Sequence, residues 1–310
     1  MNIDKLPSFT STDNRRAIQD CFEGVGCFVF RDLFAAGQIR KIRTELGVVL
    51  RNAGWIYDSS EKAPSANLDM RCADPDLAYV RTYRRALVQP AIHLLPRSSN
   101  VRALAEALGM KEFFSLPRVV LRIVFPGIIP TPPHQDWTTI KGSPNTATIW
   151  VPLMPCSLSE GPVAVLKGSH QAGEWPRRAA RGIGGEIVTT DHSATWSSEE
   201  MNVGDAVVFR SLTVHCALPN TGDFMRLSLD FRIQDMREPI HPGSLLPPDR
   251  FRSWDEIYRT WSPEDRREAY YWRRRHPRLL PSVESLRAGL ARSVGEEAKS
   301  LERLLSAVSG

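Results

Sequence analysis

The sequence predicts a mainly β fold, a barrel or a sandwich, flanked by helices at both ends. Short segments rich in β-branched and aromatic residues follow one another from about residue 117 to 234, for example RVVLRIVF (118–125), TATIWVPL (146–153) and FMRLSLDFRIQ (224–234). Turn-forming stretches such as KGSPN, NVGD and PNTGD separate them, as in barrels and sandwiches. Strands and helices do not alternate there, which argues against a doubly wound parallel sheet.

Helical patterns surround this β region. Helical patterning occurs at residues 13–23, 38–54, 81–94 and 100–109. Residues 26–34 have the pattern of a strand, and residues 55–80 have that of a long loop that could act as a lid. Ser262 and Pro263 have the pattern of a helix start, and 282–308 predicts a helix or helix pair. We therefore expect one domain over 1–310, with a β core at about 117–234, N-terminal support at 13–110 and a C-terminal helical extension at 240–310.

Composition narrows the class of protein. Hydrophobic residues make up 42% of the chain, enough for a sizeable core, and no stretch approaches the ~18 apolar residues of a membrane helix. Without a basic segment followed by an apolar run at the N-terminus, we expect a cytoplasmic protein. The five cysteines lack a C-x-x-C spacing and are expected to be reduced. The net charge of +5 lies largely in local runs that suit solvated helix faces better than a nucleic-acid groove.

The stretch PPHQDW (132–137) contains a candidate metal site. If it were a strand, His134 and Asp136 would point to the same side and Gln135 to the other. His215, which follows the strand-like run GDAVVFRSLTV, is the best candidate for a third ligand. Two histidines and one carboxylate leave coordination positions open, which suits non-haem Fe(II) and O₂, whereas structural zinc takes four protein ligands.

A second group of candidates lies on the strands around this motif. In FMRLSLDFRIQ, apolar residues alternate with polar ones. The polar face either meets water or lies inside the barrel, where Arg226 and Ser228 could bind a carboxylate. Arg122, within an apolar run, needs a partner and could face the barrel interior or form a structural ion pair. Trp137 could wall a substrate pocket, although a core position is the better interpretation.

Along the chain there is an H-x-D motif, then a distant histidine, then an arginine with a serine two residues later. This ordered set resembles the motif residues of the iron(II)/2-oxoglutarate dioxygenases. Within them it is most similar to the phytanoyl-CoA dioxygenase-like family, as GVGCFVFRDLFAAGQIRKIRTEL, IWVPLMPCSLSEGPVAVLKGSH and GDAVVFRSLTVHCALPN also indicate. The likeness covers roughly residues 20–50 and 117–234. It implies a double-stranded β-helix (jelly-roll, cupin-like) core covered by N- and C-terminal helices.

The resemblance also implies roles for single residues. His134, Asp136 and His215 would bind Fe(II), and Arg226 would bind 2-oxoglutarate with help from Ser228. Trp150 matches a family position near this cosubstrate, and Arg122 is a further candidate contact. A hydroxyl residue that the family often has is replaced by Ala217, so one cosubstrate contact is missing or supplied elsewhere. Halogenating relatives lack the carboxylate that Asp136 provides, so its presence favours hydroxylation or another two-electron oxidation.

The expected function is therefore Fe(II)/2-oxoglutarate-dependent oxidation, by O₂, of a small molecule, for example in secondary metabolism. A free substrate is preferred, while an anionic or carrier-bound substrate stays open, as does the oligomeric state. One alternative is a nucleic-acid demethylase, because Arg226 and Arg232 have the Arg-x₅-Arg spacing of the AlkB-like family. Another is a non-catalytic metal-binding module that kept the fold.

Overall fold

The computed structural model describes residues 3–57, 65–179, 186–190, 194–248 and 251–308. Five helices come before most of the sheet: α1 (Arg15–Gly24), α2 (Ala36–Asn52), α3 (Leu77–Leu87), α4 (Pro90–Leu94) and α5 (Ser99–Ala107). The remaining helices are α6 (Trp137–Ile140), α7 (Trp254–Tyr258), α8 (Pro263–Arg266), α9 (Val283–Leu290) and α10 (Gly295–Val308). Short 3₁₀ turns occur at Leu68–Met70, Leu95–Arg97, Leu158–Glu160, Ser169–Ala172, Pro242–Leu245 and Arg273–Arg275.

Two sheets form the β core. The larger has seven strands, in the order β2 (Ser8–Phe9), β3 (Cys27–Phe30), β11 (Ala206–Arg210), β6 (Ala147–Pro152), β13 (Arg226–Asp235) and β4 (Phe113–Ser115), with β5 (Val120–Val124) also paired to β13. The smaller has the order β1 (Ile3–Asp4), β10 (Trp196–Ser197), β7 (Val163–Val165) and β12 (His215–Ala217). A separate hairpin pairs β8 (Arg177–Ala179) with β9 (Glu186–Val188). The strands at the centre of both sheets are antiparallel, and the two sheets together form the expected jelly-roll core.

The two faces of the larger sheet are buried against different partners. Leu227, Leu229 and Phe231 of β13 lie in the main core with the apolar residues of α2, such as Ile42 and Leu46. The opposite face looks into the jelly roll, where side chains of β3, β6 and β11 pack against Val163 and Val165 of β7. The alternation along β13 therefore separates a face covered by helices from an interior face that carries polar side chains.

Most predicted elements are present, with one clear difference. The region 55–80 was expected to be a loop throughout, but α3 begins at Leu77. Tyr79 and Tyr83 explain why a helix forms there, since their rings stack on each other and Tyr79 stacks on the buried Trp55. Residues 58–64 of the predicted loop lie outside the described part of the chain.

The C-terminal extension folds onto the main core. Ser262 caps α8 by accepting a hydrogen bond from the backbone N–H of Asp265, and Pro263 occupies the first helical position, as expected from the sequence. The second predicted helical region forms the pair α9 and α10. Among the described residues, no helix is long and apolar enough to cross a membrane.

His93, a buried histidine that packs against the C-terminal extension, predicts that the stability of the protein depends on pH. His93 of α4 donates from Nε2 to the carbonyl of Leu87 at 2.6 Å, and its ring packs against Trp254 and Trp261. Burial lowers the pKa of His93 to about 4. The unfolded chain therefore takes up this proton at a higher pH than the folded protein, and stability is lost as the pH falls from about 6.5 to 4.

We expect His93→Gln to reduce the acid sensitivity of unfolding. In the parent, His93 should account for about 2 kcal/mol of the stability lost between pH 7 and pH 5. Urea unfolding at both pH values measures the difference, with His276→Gln, at an exposed position, as the control. Equal pH dependence in the parent and His93→Gln would contradict this account.

Candidate metal centre and cosubstrate site

Backbone pairing brings the two candidate histidines together. His134 and His215 exchange both backbone hydrogen bonds at 2.9 Å as an isolated antiparallel bridge, which places His134 beside β12 at the edge of the smaller sheet. Each ring donates from Nδ1 to a nearby carbonyl, His134 to Pro132 at 2.8 Å and His215 to Thr213 at 3.0 Å. In both rings the proton is therefore on Nδ1, and Nε2 keeps the lone pair that a metal needs.

Asp136 also lies beside the two histidines, but its backbone conformation differs from the one expected. The prediction that His134 and Asp136 share one strand is wrong, because Asp136 has helical backbone angles (φ −60°, ψ −27°) and directly precedes α6 as its N-cap residue. The chain turns directly after His134, and that turn aims the carboxylate at the histidines. Gln135 points elsewhere, since its amide donates to the carbonyls of Gly173 and Leu212.

The three side chains form a compact and buried group of potential ligands. One ligand atom from each of His134, Asp136 and His215 lies within 4.8 Å of the others. Burial lowers the pKa of His134 to about 3, with His215 contributing, and burial also lowers the pKa of His215. Burial opposes ionisation of Asp136, but the guanidinium of Arg232, the two neighbouring histidines and the hydrogen bond from Thr148 together outweigh it, so the pKa of this carboxyl lies below its ordinary value. Two neutral imidazoles and one carboxylate fit Fe(II).

Arg226 and Ser228 lie near this group on the interior face of β13. Arg226 is only 5% exposed, donates from Nη1 to the carbonyl of Gly161, and has no hydrogen-bond partner at Nε within the described part of the chain. Burial lowers the pKa of Arg226 to about 10. The hydroxyl of Ser228 is fully buried, and no described residue is its hydrogen-bond partner. A buried guanidinium beside an unused hydroxyl is suited to an anionic ligand.

Arg122 both faces the cavity and forms an ion pair, which were the two alternatives that the sequence left open. It lies on β5 directly opposite Ser228, it faces the same cavity as Arg226, and its Nη2 lies 3.9 Å from Oδ2 of Asp230. Asp230 itself is buried, and its Oδ1 has no hydrogen-bond partner among the residues that the structure describes. Arg122 is therefore both a cavity residue and the partner of a buried carboxylate.

One cavity of about 500 Å³ connects these groups, a size in the range of small-molecule sites. His134, Asp136, Arg122 and Arg226 lie on its wall. Much of the remaining wall is apolar and comes from α3, β5 and the segment before His134: Val80, Leu116, Val120, Ile123, Val124, Ile128, Ile129 and Pro130.

The two candidate tryptophans are not part of the described wall of this cavity. Trp150 is buried inside the jelly roll with Val163 and Val207, opposite Asp230 in the strand pairing. Trp137 is the first residue of α6 and is half-buried. Neither is among the described residues that line the cavity, so a direct substrate contact of Trp137 has no support in this structure.

Three neighbours of the site were not singled out as site residues from the sequence. Arg232 and Thr148 both donate to the carboxylate of Asp136, and Tyr83 lines the cavity from α3. The alternation along β13 indicates that Arg232 shares a face with Arg226. No sequence pattern identifies Thr148, because its role depends on the pairing of β6 with β13.

Gly161 supports the position of Arg226 and should not tolerate a side chain. Its backbone is left-handed (φ 73°), and a Cβ would overlap the carbonyl oxygen of Leu218. We expect Gly161→Ala to lower the free energy of unfolding by at least ~2 kcal/mol and to weaken binding of an anion at Arg226. Gly168 has a similar φ of 76°, but a Cβ at this position would meet no atom within 4 Å, so Gly168→Ala should cost only ~1 kcal/mol. Equal losses for both variants in urea unfolding would contradict this explanation.

Comparison with curated proteins finds two relatives from Streptomyces. A stretch of 117 residues is 38% identical to a 1-deoxypentalenic acid 11-beta-hydroxylase of Streptomyces exfoliatus and covers 34% of this chain and 41% of that protein. A second stretch, of 119 residues, is 34% identical to the protein of the same name from Streptomyces arenae, with the same coverage. The chain thus matches less than half the length of these curated relatives.

Solved structures share the fold at low sequence identity. The non-heme alpha ketoglutarate dependent carbocyclase SnoK from nogalamycin biosynthesis superposes with a TM-score of 0.51 at 17% identity, covering 74% of this chain and 88% of SnoK. EvdO2 from Micromonospora carbonacea var. aurantiaca superposes with a TM-score of 0.50 at 18% identity, covering 76% and 94%. These likenesses concern the jelly-roll architecture.

The family comparison covers the residues that build the site. The model of the phytanoyl-CoA dioxygenase (PhyH) family matches residues 22–228, more than half of the chain. This range contains His134, Asp136, His215, Arg226 and Ser228. The chain therefore belongs to the phytanoyl-CoA dioxygenase (PhyH) family.

Proposed function

We propose that this protein is an Fe(II)/2-oxoglutarate-dependent dioxygenase that hydroxylates a small molecule of secondary metabolism. The observation that carries the proposal is the convergence of two neutral histidines and one carboxylate, of which His134 and Asp136 line a cavity that also holds a buried arginine without a carboxylate partner among the described residues. His134, Asp136 and His215 would hold the iron, and Arg226 with Ser228 would bind the distal carboxylate of 2-oxoglutarate. When bound, iron and 2-oxoglutarate supply the activation of O₂ for oxidation of a C–H bond.

The chain's own groups prepare this site. The Nδ1 hydrogen bonds of the two histidines fix their rings with Nε2 directed away from the backbone carbonyls. Arg122, opposite Ser228, can contact the cosubstrate from the neighbouring strand. The apolar wall formed by α3 and β5 limits water around the reacting groups.

The wall also favours a substrate with an apolar body and an anionic group. Five arginines are described on the wall (Arg118, Arg122, Arg177, Arg226 and Arg232), and acidic partners of some of them lie beside it, Asp230 near Arg122 and Arg232 and Glu174 near Arg177. The wall is therefore rich in guanidinium groups, which could bind a carboxylate of the substrate as well as those of the cosubstrate. The curated Streptomyces relatives, which are named for a carboxylic acid, agree with such a substrate.

Succinate release tests this proposal. The Fe(II)-loaded protein with 2-oxoglutarate and O₂ is supplied with polycyclic carboxylic acids, their methyl esters and their coenzyme A thioesters. We expect the free acids to stimulate succinate release in step with hydroxylated product, and the esters to stimulate it less. Equal stimulation by acids and esters would contradict an anionic substrate. Release no greater than that of Asp136→Ala with every compound, together with no binding of 2-oxoglutarate, would contradict the dioxygenase assignment.

A further inference from the structure

Arg232 makes the most extensive contact with the candidate metal ligands, and it lies outside the segment that matches the family. It is the fourth of the five polar residues that alternate along β13, which are Arg226, Ser228, Asp230, Arg232 and Gln234, and it is 7% exposed. Its Nε and Nη2 donate to Oδ2 of Asp136 at 3.1 and 2.8 Å, and Nη2 also lies 2.8 Å from Oδ1. Its guanidinium therefore fixes the plane of the Asp136 carboxylate.

The two carboxylate oxygens of Asp136 accept different numbers of hydrogen bonds. Oδ2 accepts from both nitrogens of Arg232 and from the hydroxyl of Thr148 at 2.6 Å. Of the described residues, only Arg232 donates to Oδ1, from Nη2, and Oδ1 lies 3.9 Å from Nε2 of His215. Since an oxygen with three short donors has little capacity left, Oδ1 is the oxygen available to a metal.

A second carboxylate, that of Asp230, also lies near the guanidinium of Arg232. Oδ2 of Asp230 lies 3.7 Å from Nη2 of Arg232 and 3.9 Å from Nη2 of Arg122. On β6, Thr148 faces Arg232 in the strand register, so the donors to Oδ2 come from two paired strands. This arrangement is rigid because both strands are central in the larger sheet.

We propose that Arg232 is a positioning residue that, with Thr148, occupies Oδ2 so that Asp136 presents Oδ1 alone to the metal. A carboxylate that bound through both oxygens would take up a coordination position that 2-oxoglutarate or O₂ needs. This inference depends on the proposed function, and it adds a residue beyond the three ligands and the cosubstrate arginine.

Binding of Co(II) alone tests the inference without turnover. Visible absorption of Co(II) reports its coordination number, and Co(II) accepts the same ligand types as Fe(II). We expect Arg232→Met to bind Co(II), but with a visible spectrum whose band positions and intensities differ from those of the parent, because the second carboxylate oxygen replaces another ligand. Its Kd for 2-oxoglutarate should rise at least ~10-fold, although Arg232 is not assigned to the cosubstrate. Thr148→Val, which removes one donor to Oδ2, should shift the spectrum in the same direction by less.

Two further variants distinguish the positioning role of Arg232 from an effect of its charge and from a general destabilisation of the protein. Arg237→Met breaks an arginine–aspartate pair with Asp235 near the end of β13, and it should leave the Co(II) spectrum unchanged. Arg232→Lys keeps the charge without the planar fork and should restore the spectrum only in part.

The results that would overturn the positioning role of Arg232 differ from those that would overturn the proposed function. Parent spectra in both Arg232→Met and Thr148→Val, or a full return to the parent spectrum with Arg232→Lys, would overturn the positioning role while leaving the proposed function intact. A parent protein that binds neither Co(II) nor Fe(II) would overturn the proposed function itself.

Discussion

Asp136→Ala is expected to lose 2-oxoglutarate turnover and a large part of its stability together. Turnover should fall at least ~100-fold, since even an outer-sphere partner of a metal ligand can cost a site that much. The free energy of unfolding should fall by ~3–5 kcal/mol, because Arg232 is left as a buried charge without its partner. Succinate release and urea unfolding measure the two effects.

The double variant Asp136→Ala/Arg232→Met is the control that separates these effects. With both charges removed, most of the lost stability should return, because replacing a buried ion pair by apolar groups is often neutral. Turnover should not return, since the metal still lacks a ligand. Parent-like turnover in either variant would remove Asp136 from the proposed metal centre.

Arg226→Met is expected to raise the Kd for 2-oxoglutarate at least ~30-fold, which corresponds to the ~2 kcal/mol lower limit for truncating one side of a buried charge pair. Without 2-oxoglutarate, the variant should unfold at the same or a higher urea concentration than the parent. The reason is that the parent buries a guanidinium with only one hydrogen-bond acceptor among the described residues, the carbonyl of Gly161.

Arg226→Lys serves as the comparison for this prediction. It keeps the positive charge but cannot make two parallel hydrogen bonds, so its affinity for 2-oxoglutarate should lie between those of the parent and Arg226→Met. Binding of Fe(II) alone should be the same in all three proteins. Parent-like affinity for 2-oxoglutarate in Arg226→Met would assign the cosubstrate carboxylate to another group, with Arg122 as the next candidate.

Much of the fold could be predicted because it depends on local patterns. The alternation in β13 identifies one face for the helices and one for the interior, and the structure places Leu229 and Arg226 accordingly. The helix cap at Ser262 also follows from adjacent residues. The helix at Leu77 was missed because its stability comes from stacking of Tyr79 on Trp55, a contact between distant residues.

The site was predictable in its residue types and less so in its geometry. The order of His134, Asp136, His215 and Arg226 along the chain is visible in the sequence, but the conformation that aims Asp136 is not. A strand and a short helix can both follow PPHQ, and backbone hydrogen bonding between Trp137 and Ser211 accompanies the helix here. Arg232 and Thr148 acquire their importance only through the register of β13 with β6.

The measurement that tests the central claim most directly is an anaerobic titration of the Fe(II)-loaded protein with 2-oxoglutarate, followed by the visible iron-to-ketoacid charge-transfer band. We predict a band that saturates in the parent and requires much more 2-oxoglutarate in Arg226→Met. Bound iron with no band at any 2-oxoglutarate concentration would contradict the dioxygenase assignment and favour a metal-binding module without oxygenase chemistry.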